Sequence, residues 1–205
     1  MILRTTPLPV RIDDSKRLTA AARARAWAVI LEQADVGFGI ACAAEIDRSN
    51  IQAATLLAMQ RAVEDLSVPP DVVLVDWPVA PSLAFPCWPF IRGDQRSYAI
   101  ACASIAAKVL RDRLMAFYHT LEPRYGFHRH KGYGTALHTV RLRRFGPSLF
   151  HRRTFRPVAE AILDRLRSSS SHDTARFSQP ATASAGHVDA VAVTGVPPDP
   201  APAAV

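Results

Sequence analysis

Between His130 and Val158 the chain has no Asp and no Glu. The same stretch holds Lys131, Arg141, Arg143, Arg144, Arg152 and Arg153, interleaved with Tyr133, Phe145, Phe150 and Phe155. A segment with no acids cannot neutralise itself by internal ion pairing, so it points to an external polyanion. The whole chain leans the same way. Its 205 residues carry 25 Lys and Arg against 18 Asp and Glu, a net charge of +7, and its pI is about 9.9. Nucleic acid and an anionic membrane surface are the partner classes that such a balance favours, beside the plain alternative of a soluble basic protein.

Cysteine is scarce. Cys42, Cys87 and Cys102 stand far apart with no CxxC pair, which excludes a zinc knuckle and a disulfide framework and suits reduced thiols in a cytosolic protein. His128, His130 and His151 lack the HExxH spacing of a zinc site and have no cysteine nearby. No apolar run is long enough to span a bilayer. The first residues, MILRTTPLPVRIDDSK, have no apolar core of a secretory signal. The expected location is cytoplasmic, with no membrane partner and no obligate protein partner.

About half of the residues are apolar, enough for one domain with a core. From Ser168 onward the composition shifts to Ser, Ala and Pro without periodicity, so the expected organisation is a folded domain over 1–167 and a disordered tail over 168–205. Within the domain, Leu18 to Ala34 reads as a helix and Val36 to Ala44 as a strand. Ser49 with Gln52 forms a capping box for a helix to about Leu66. Val72 to Val75 reads as a buried strand, and Trp88 to Arg92 as another. Helices are expected over Ala103 to Leu121, from the Thr135 cap to Gly146, and from Pro157 to about Arg167. Alternation of this kind predicts an α/β layer fold.

Two carboxylates stand out. Asp76 directly follows the VVLV strand, where open α/β sheets place their sites, although an Asp just before Pro78 also suits a turn. Asp112 shares a helix face with Ser104 and Lys108 at four-residue spacing. Arg111 and Arg113 flank it. An acid among cations suits a metal ligand beside a phosphate backbone, or else a surface Lys–Asp pair. Arg129, Lys131, Arg141, Arg143, Arg144, Arg152 and Arg153 can contact phosphates, and Tyr133, between Gly132 and Gly134, can stack on a sugar or base. Asp13 to Lys16 (DDSK) reads as a helix cap or as a phosphate contact through Ser15 and Lys16.

Six strings, DDSKRLT, EIDRSNIQAATLLAMQRAV, VVLVDW, GDQRSYAIACASIAAKVLRDRLM, YGFHRHKGYGTALH and GPSLFHRRTFRPV, together and in this order resemble ribonuclease HII, the type 2 ribonuclease H family. The resemblance implies a ribonuclease H-like fold, a mixed five-stranded sheet flanked by helices with a C-terminal helical region. It implies an endoribonuclease that cuts the RNA strand of RNA–DNA hybrids and nicks at ribonucleotides embedded in duplex DNA, by two-metal hydrolysis with Mn²⁺ or Mg²⁺. Asp76 and Asp112 match the third and fourth metal-binding carboxylates, and Tyr133 the tyrosine against the ribose. Ser15, Lys16 and Lys108 match polar positions near the substrate backbone, and Arg152 is grouped with them as a substrate contact. Asp13, Asp14, Glu45, Asp47 and Asp94 fall at non-catalytic positions, and Trp77 replaces the small residue expected after the strand aspartate.

The family's Asp-Glu pair and Gly-Arg-Gly motif are absent from the sequence. One or two initial strands are therefore expected to be missing. The chain as it stands is expected to fold poorly or to lack cleavage activity, leaving two alternatives: an endonuclease whose start lies upstream of Met1, or a catalytically dead member that only binds duplexes. A general basic RNA-binding protein would account for the charge but not for the ordered motifs.

Overall fold

The structure, a computed structural model, describes residues 1–176. The Ser/Pro/Ala-rich stretch expected to be disordered lies outside the described residues beyond that point. The fold is mixed α/β, with seven α-helices and two small sheets among the described residues.

Helix α4 (Tyr98–Leu121) is the spine. Ser97 starts it, its hydroxyl accepting the Ile100 N–H, so it begins five residues before the expected Ala103. Its buried positions Ala101, Cys102, Ile105, Ala106 and Val109 recur every three to four residues, the spacing of a stripe that faces a core. That stripe packs with Leu8, Leu18 and the buried face of α1 (Ala20–Gln33), which presents Ala26, Trp27 and Ile30. Farther along, Met115 and Tyr118 join a second core with Tyr125, Phe127, Leu142, Phe150 and Val158. Burial of each large apolar side chain stabilises the fold by about 1.5–3 kcal/mol.

β1 (Ile2–Leu3) pairs antiparallel with β2 (Ala34–Asp35), Ile2 opposite Asp35. The strand expected over Val36 to Ala44 is not formed. That stretch has no ladder, and its end becomes α2 (Ala43–Arg48). The reason is close contact with a helix. A Cβ on Gly39 would lie 1.7 Å from the Ala58 carbonyl oxygen, and one on Gly37 2.2 Å from that of Ala62. Both contacts are with α3 (Ile51–Glu64). The glycines thus mark an approach of the chain to a helix backbone rather than a strand. Asn50, not Ser49, caps α3, its side chain accepting the Ala53 N–H at 2.9 Å.

Glu45 joins α2 to α3. Its carboxylate accepts the Cys42 N–H and takes a bidentate pair from Arg61, which also donates to the Ile40 carbonyl. The Arg61 hydrogen bonds, then the Cys42 N–H, hold the Glu45 carboxyl down at about 2. A depressed folded value stabilises above the unfolded carboxyl range near pH 4.3 and is lost as pH falls towards 2. Glu45→Gln is therefore expected to have a lower urea midpoint than the parent at pH 7, with the gap closing by pH 2.5.

β3 (Val73–Val75) pairs in parallel with β4 (Cys87–Pro89), Leu74 opposite Trp88. The strand expected at Trp88 to Arg92 is thus shifted back. Ile91 and Arg92 leave it for the turn before a short 3-10 helix (Gly93–Gln95), with Arg92 in the left-handed region at φ 55°. After α4 come α5 (Phe127–His130), α6 (Ala136–Phe145) and α7 (Arg156–Arg176). Thr135 caps α6 and Gly146 ends it at φ 75°, as expected. α7 continues past Arg167 because no Pro or Gly interrupts Ser168 to Arg176. Among the described residues no helix is long and apolar enough to cross a membrane.

Candidate nucleic-acid interface

A cavity of about 630 Å³ opens between α3, β3, α4 and the segment after α6. Its wall includes Ser15, Lys16, Asp76, Lys108, Tyr133 and Arg152, six of the seven residues that the resemblance assigns as metal or substrate contacts. Asp112 does not line it and lies one turn along α4 from Lys108.

Asp76 is placed by the strand before it and the turn opposite. The Val75 carbonyl accepts the Phe90 N–H at 2.8 Å, and the next residue's carboxylate accepts the Gly93 N–H at 2.7 Å. Trp77 and Asp94 flank it on the cavity wall. The four-residue spacing on α4 works as read. Ser104 meets the buried Ser15 hydroxyl at 3.0 Å, and Lys108 donates to Asp112 Oδ1. Asp112 Oδ2 faces Arg23 at 4.0 Å. Arg23 also donates to the carbonyls of Ser15 and Leu18, so it fixes the DDSK turn against α4. Within that turn Asp14 accepts the Lys16 N–H and Asp13 pairs with Arg11 and Arg17, leaving Lys16 exposed at the rim.

Tyr133 stands on a loop with Lys131 at φ 53° and Gly132 at φ 82°. Its ring is 61% exposed, and the Arg111 guanidinium lies 5.7 Å from the ring centroid. Arg111 also donates to the Lys131 carbonyl. Arg152 is half-buried, with its guanidinium 4.9 Å from the Phe155 ring. Burial, and then the neighbouring Arg111, draw its pKa down. The backbone beside it is held by Asp47, whose carboxylate accepts the N–H groups of Arg153 and Thr154. Sequence reasoning missed Arg111 as a partner of Tyr133. It also missed Arg23 and Asp47, which act across the fold and leave no local pattern.

The structure also places two further groups named from sequence. Arg141 donates to the carbonyls of Pro123 and Arg124 beyond the end of α4. His130 and His151 are buried with His138, whereas His128 is exposed against His119.

The model of the Ribonuclease HII family matches residues 8–158. The chain belongs to the ribonuclease HII family. It is 48% identical over 155 residues to the ribonuclease HII of Thermotoga maritima, an alignment covering 76% of this chain and 65% of that protein. Identity to the ribonuclease HII of Chloroflexus aurantiacus is 47% over 163 residues, 79% and 77% of the two chains. For that of Rhizorhabdus wittichii it is 49% over 163 residues, 80% and 81%. The chain thus spans just under two thirds of the Thermotoga protein's length. The cavity is where the strings that carry the resemblance converge, since all six contribute to its wall.

A pair of divalent ions needs several free oxygen ligands for each ion. Among the described residues no group of three His, Cys, Asp or Glu is arranged to hold a metal. Asp112 is engaged by Lys108 and Arg23, and Asp76 by the Gly93 N–H. These residues alone do not fit a two-metal site.

Proposed function

We propose that this chain binds RNA–DNA hybrids and ribonucleotide-containing duplex DNA through the cavity rim, in the service of a ribonuclease HII endonuclease that cuts the RNA strand or nicks at the embedded ribonucleotide. The carrying observation is the convergence of Ser15, Lys16, Lys108 and Arg152 on one wall with the exposed Tyr133 ring. Cations contact phosphates without reading sequence, and the ring can pack on a ribose, whose 2′-hydroxyl is the local mark of RNA. Residues 1–167 act as the binding domain, with β3 taken as a strand of a ribonuclease H-like mixed sheet. The three unpaired thiols suit the cytoplasm.

Hydrolysis by this family reading draws on Mn²⁺ or Mg²⁺ near Asp76 and Asp112, with further ligands that the described residues do not supply. That shortfall favours a second reading, in which this chain binds the duplex without cutting it. One experiment separates the two. The chain is incubated with Mn²⁺ or Mg²⁺ and a labelled duplex carrying one ribonucleotide, and its binding is competed with hybrid, DNA and RNA duplexes. The substrate reading expects hybrid to outcompete both others, with Asp76→Asn leaving binding within about twofold because that carboxylate contributes no phosphate contact. Nicking would establish the endonuclease, and binding without nicking the second reading. No preference for hybrid would overturn both.

A further inference from the structure

Beneath the Tyr133 loop lie three buried histidines, His130, His138 and His151, each at most 6% exposed. Backbone groups at their ends fix the direction of the hydrogen bonds that run between them, and the Ser148 hydroxyl also meets His151 Nδ1 at 2.9 Å. The Ser148 N–H can only donate, so His151 Nδ1, 3.0 Å away, is bare and the proton sits on Nε2. That Nε2–H meets His138 Nε2 at 3.0 Å, which must therefore accept. The remaining His138 proton sits on Nδ1 and is donated to the Tyr133 carbonyl at 2.9 Å. His130 has the complementary arrangement. Its Nδ1 accepts the Gly132 N–H and its Nε2–H donates to the Tyr125 carbonyl. Its ring stacks on His138 with centroids 4.1 Å apart. All three imidazoles are neutral and every ring nitrogen is used.

We infer that His151 and His138 are positioning residues for ribonucleotide recognition: a tautomerically locked pair that runs from the Ser148 turn to the Tyr133 carbonyl and sets where the exposed Tyr133 ring stands. This rests on the substrate reading above. The loop needs such support. Two consecutive residues, Lys131 and Gly132, are in the left-handed region, which a lysine adopts only under steric strain. The ring itself is mostly in solvent, so its position depends on the backbone below. Burial keeps both groups neutral, holding His138 down at about 4 and His151 at about 3.

The test uses the full chain and two readouts. Ring-nitrogen NMR of His-labelled protein at pH 7 is expected to show His151 protonated on Nε2 and His138 on Nδ1. The opposite tautomer or an imidazolium at either residue overturns the relay. Anisotropy then compares a duplex carrying one ribonucleotide with the same duplex in all-DNA form. His138→Leu fills the space but cannot donate, so it is expected to lower the ratio of the two affinities by about three- to tenfold, the worth of one hydrogen bond, with all-DNA binding unchanged. His151→Gln can still donate to His138 and is expected to keep the parental ratio, while His138→Asn keeps the donor to the Tyr133 carbonyl but not the acceptor for His151 and is expected to keep a ratio above that of His138→Leu. An unchanged ratio in a folded His138→Leu overturns the proposal. If that variant does not fold, loss of the ratio in the Gln variant overturns it and retention supports it. A parent without ribonucleotide preference sinks the substrate reading instead, and the tautomers then decide whether the relay exists.

Discussion

Gly39→Ala is expected to destabilise the fold by about 3–5 kcal/mol, at the top of the range for single substitutions. The added methyl would lie 1.7 Å from the Ala58 carbonyl oxygen, 2.6 Å from the Ala62 nitrogen and 2.7 Å from the Ala58 carbonyl carbon. These are backbone atoms inside α3, so no side chain can rotate away to make room. Relief requires the 36–41 segment to lift off the helix, which would open the small core of Ala41, Ile46, Ala54 and Ala58. Cβ contacts below 3.0 Å with backbone are the kind that force such a shift. Gly134→Ala is the control. Its Cβ would meet Phe155 Cζ and Pro157 Cγ at 3.5 Å, ordinary contact, and a change within about 0.5 kcal/mol is expected. Urea midpoints of parent and both variants, compared at equal slope, measure the difference. A Gly39→Ala midpoint equal to that of the parent would mean that the segment does not sit on α3 as described.

The same contact explains what could be read from sequence and what could not. One cap was legible because its chemistry is local, Thr135 starting α6 as its position suggests, whereas the cap read at Ser49 belongs to the next residue, Asn50. VGFGIACAA offers the same apolar character to a strand or to a helix-packed segment. Only the position of α3 decides between them, and no window of nine residues contains that information. Asp76 follows its strand as the sequence order implies, and helical spacing does bring Lys108 to Asp112. By contrast, Asp47 acts across 106 residues on Arg153. Arg141, one of many arginines in an acid-free stretch, differs from its neighbours only in the carbonyls it happens to meet. The histidine relay was visible only as three scattered letters, since its directionality comes from backbone donors that folding brings to the rings.

Affinity for an RNA–DNA hybrid is expected to fall about 10²-fold between 50 and 200 mM salt, as follows from about four phosphate contacts and a log–log slope near −3.6. The four are Lys16, Lys108, Lys131 and Arg152. Three of them line the cavity, and Lys131 directly precedes Gly132 and Tyr133 on its wall. Arg152 should matter most. Burial, and then the nearby Arg111 charge, lower its pKa, opposed by the Asp47 carboxylate. A phosphate there would relieve a charge the fold leaves under-compensated, in a setting where salt screens poorly. Arg152→Ala is therefore expected to weaken binding across hybrid and DNA alike and to make the slope shallower by about 0.9, one counterion's worth. Arg141→Ala provides the contrast, because its guanidinium already serves the Pro123 and Arg124 carbonyls. It should leave the slope unchanged and lower only the unfolding midpoint. If the two variants gave equal slopes, net charge rather than the cavity rim would be what the duplex feels, and the arrangement of Arg152 beside Tyr133 would lose its meaning as a substrate contact.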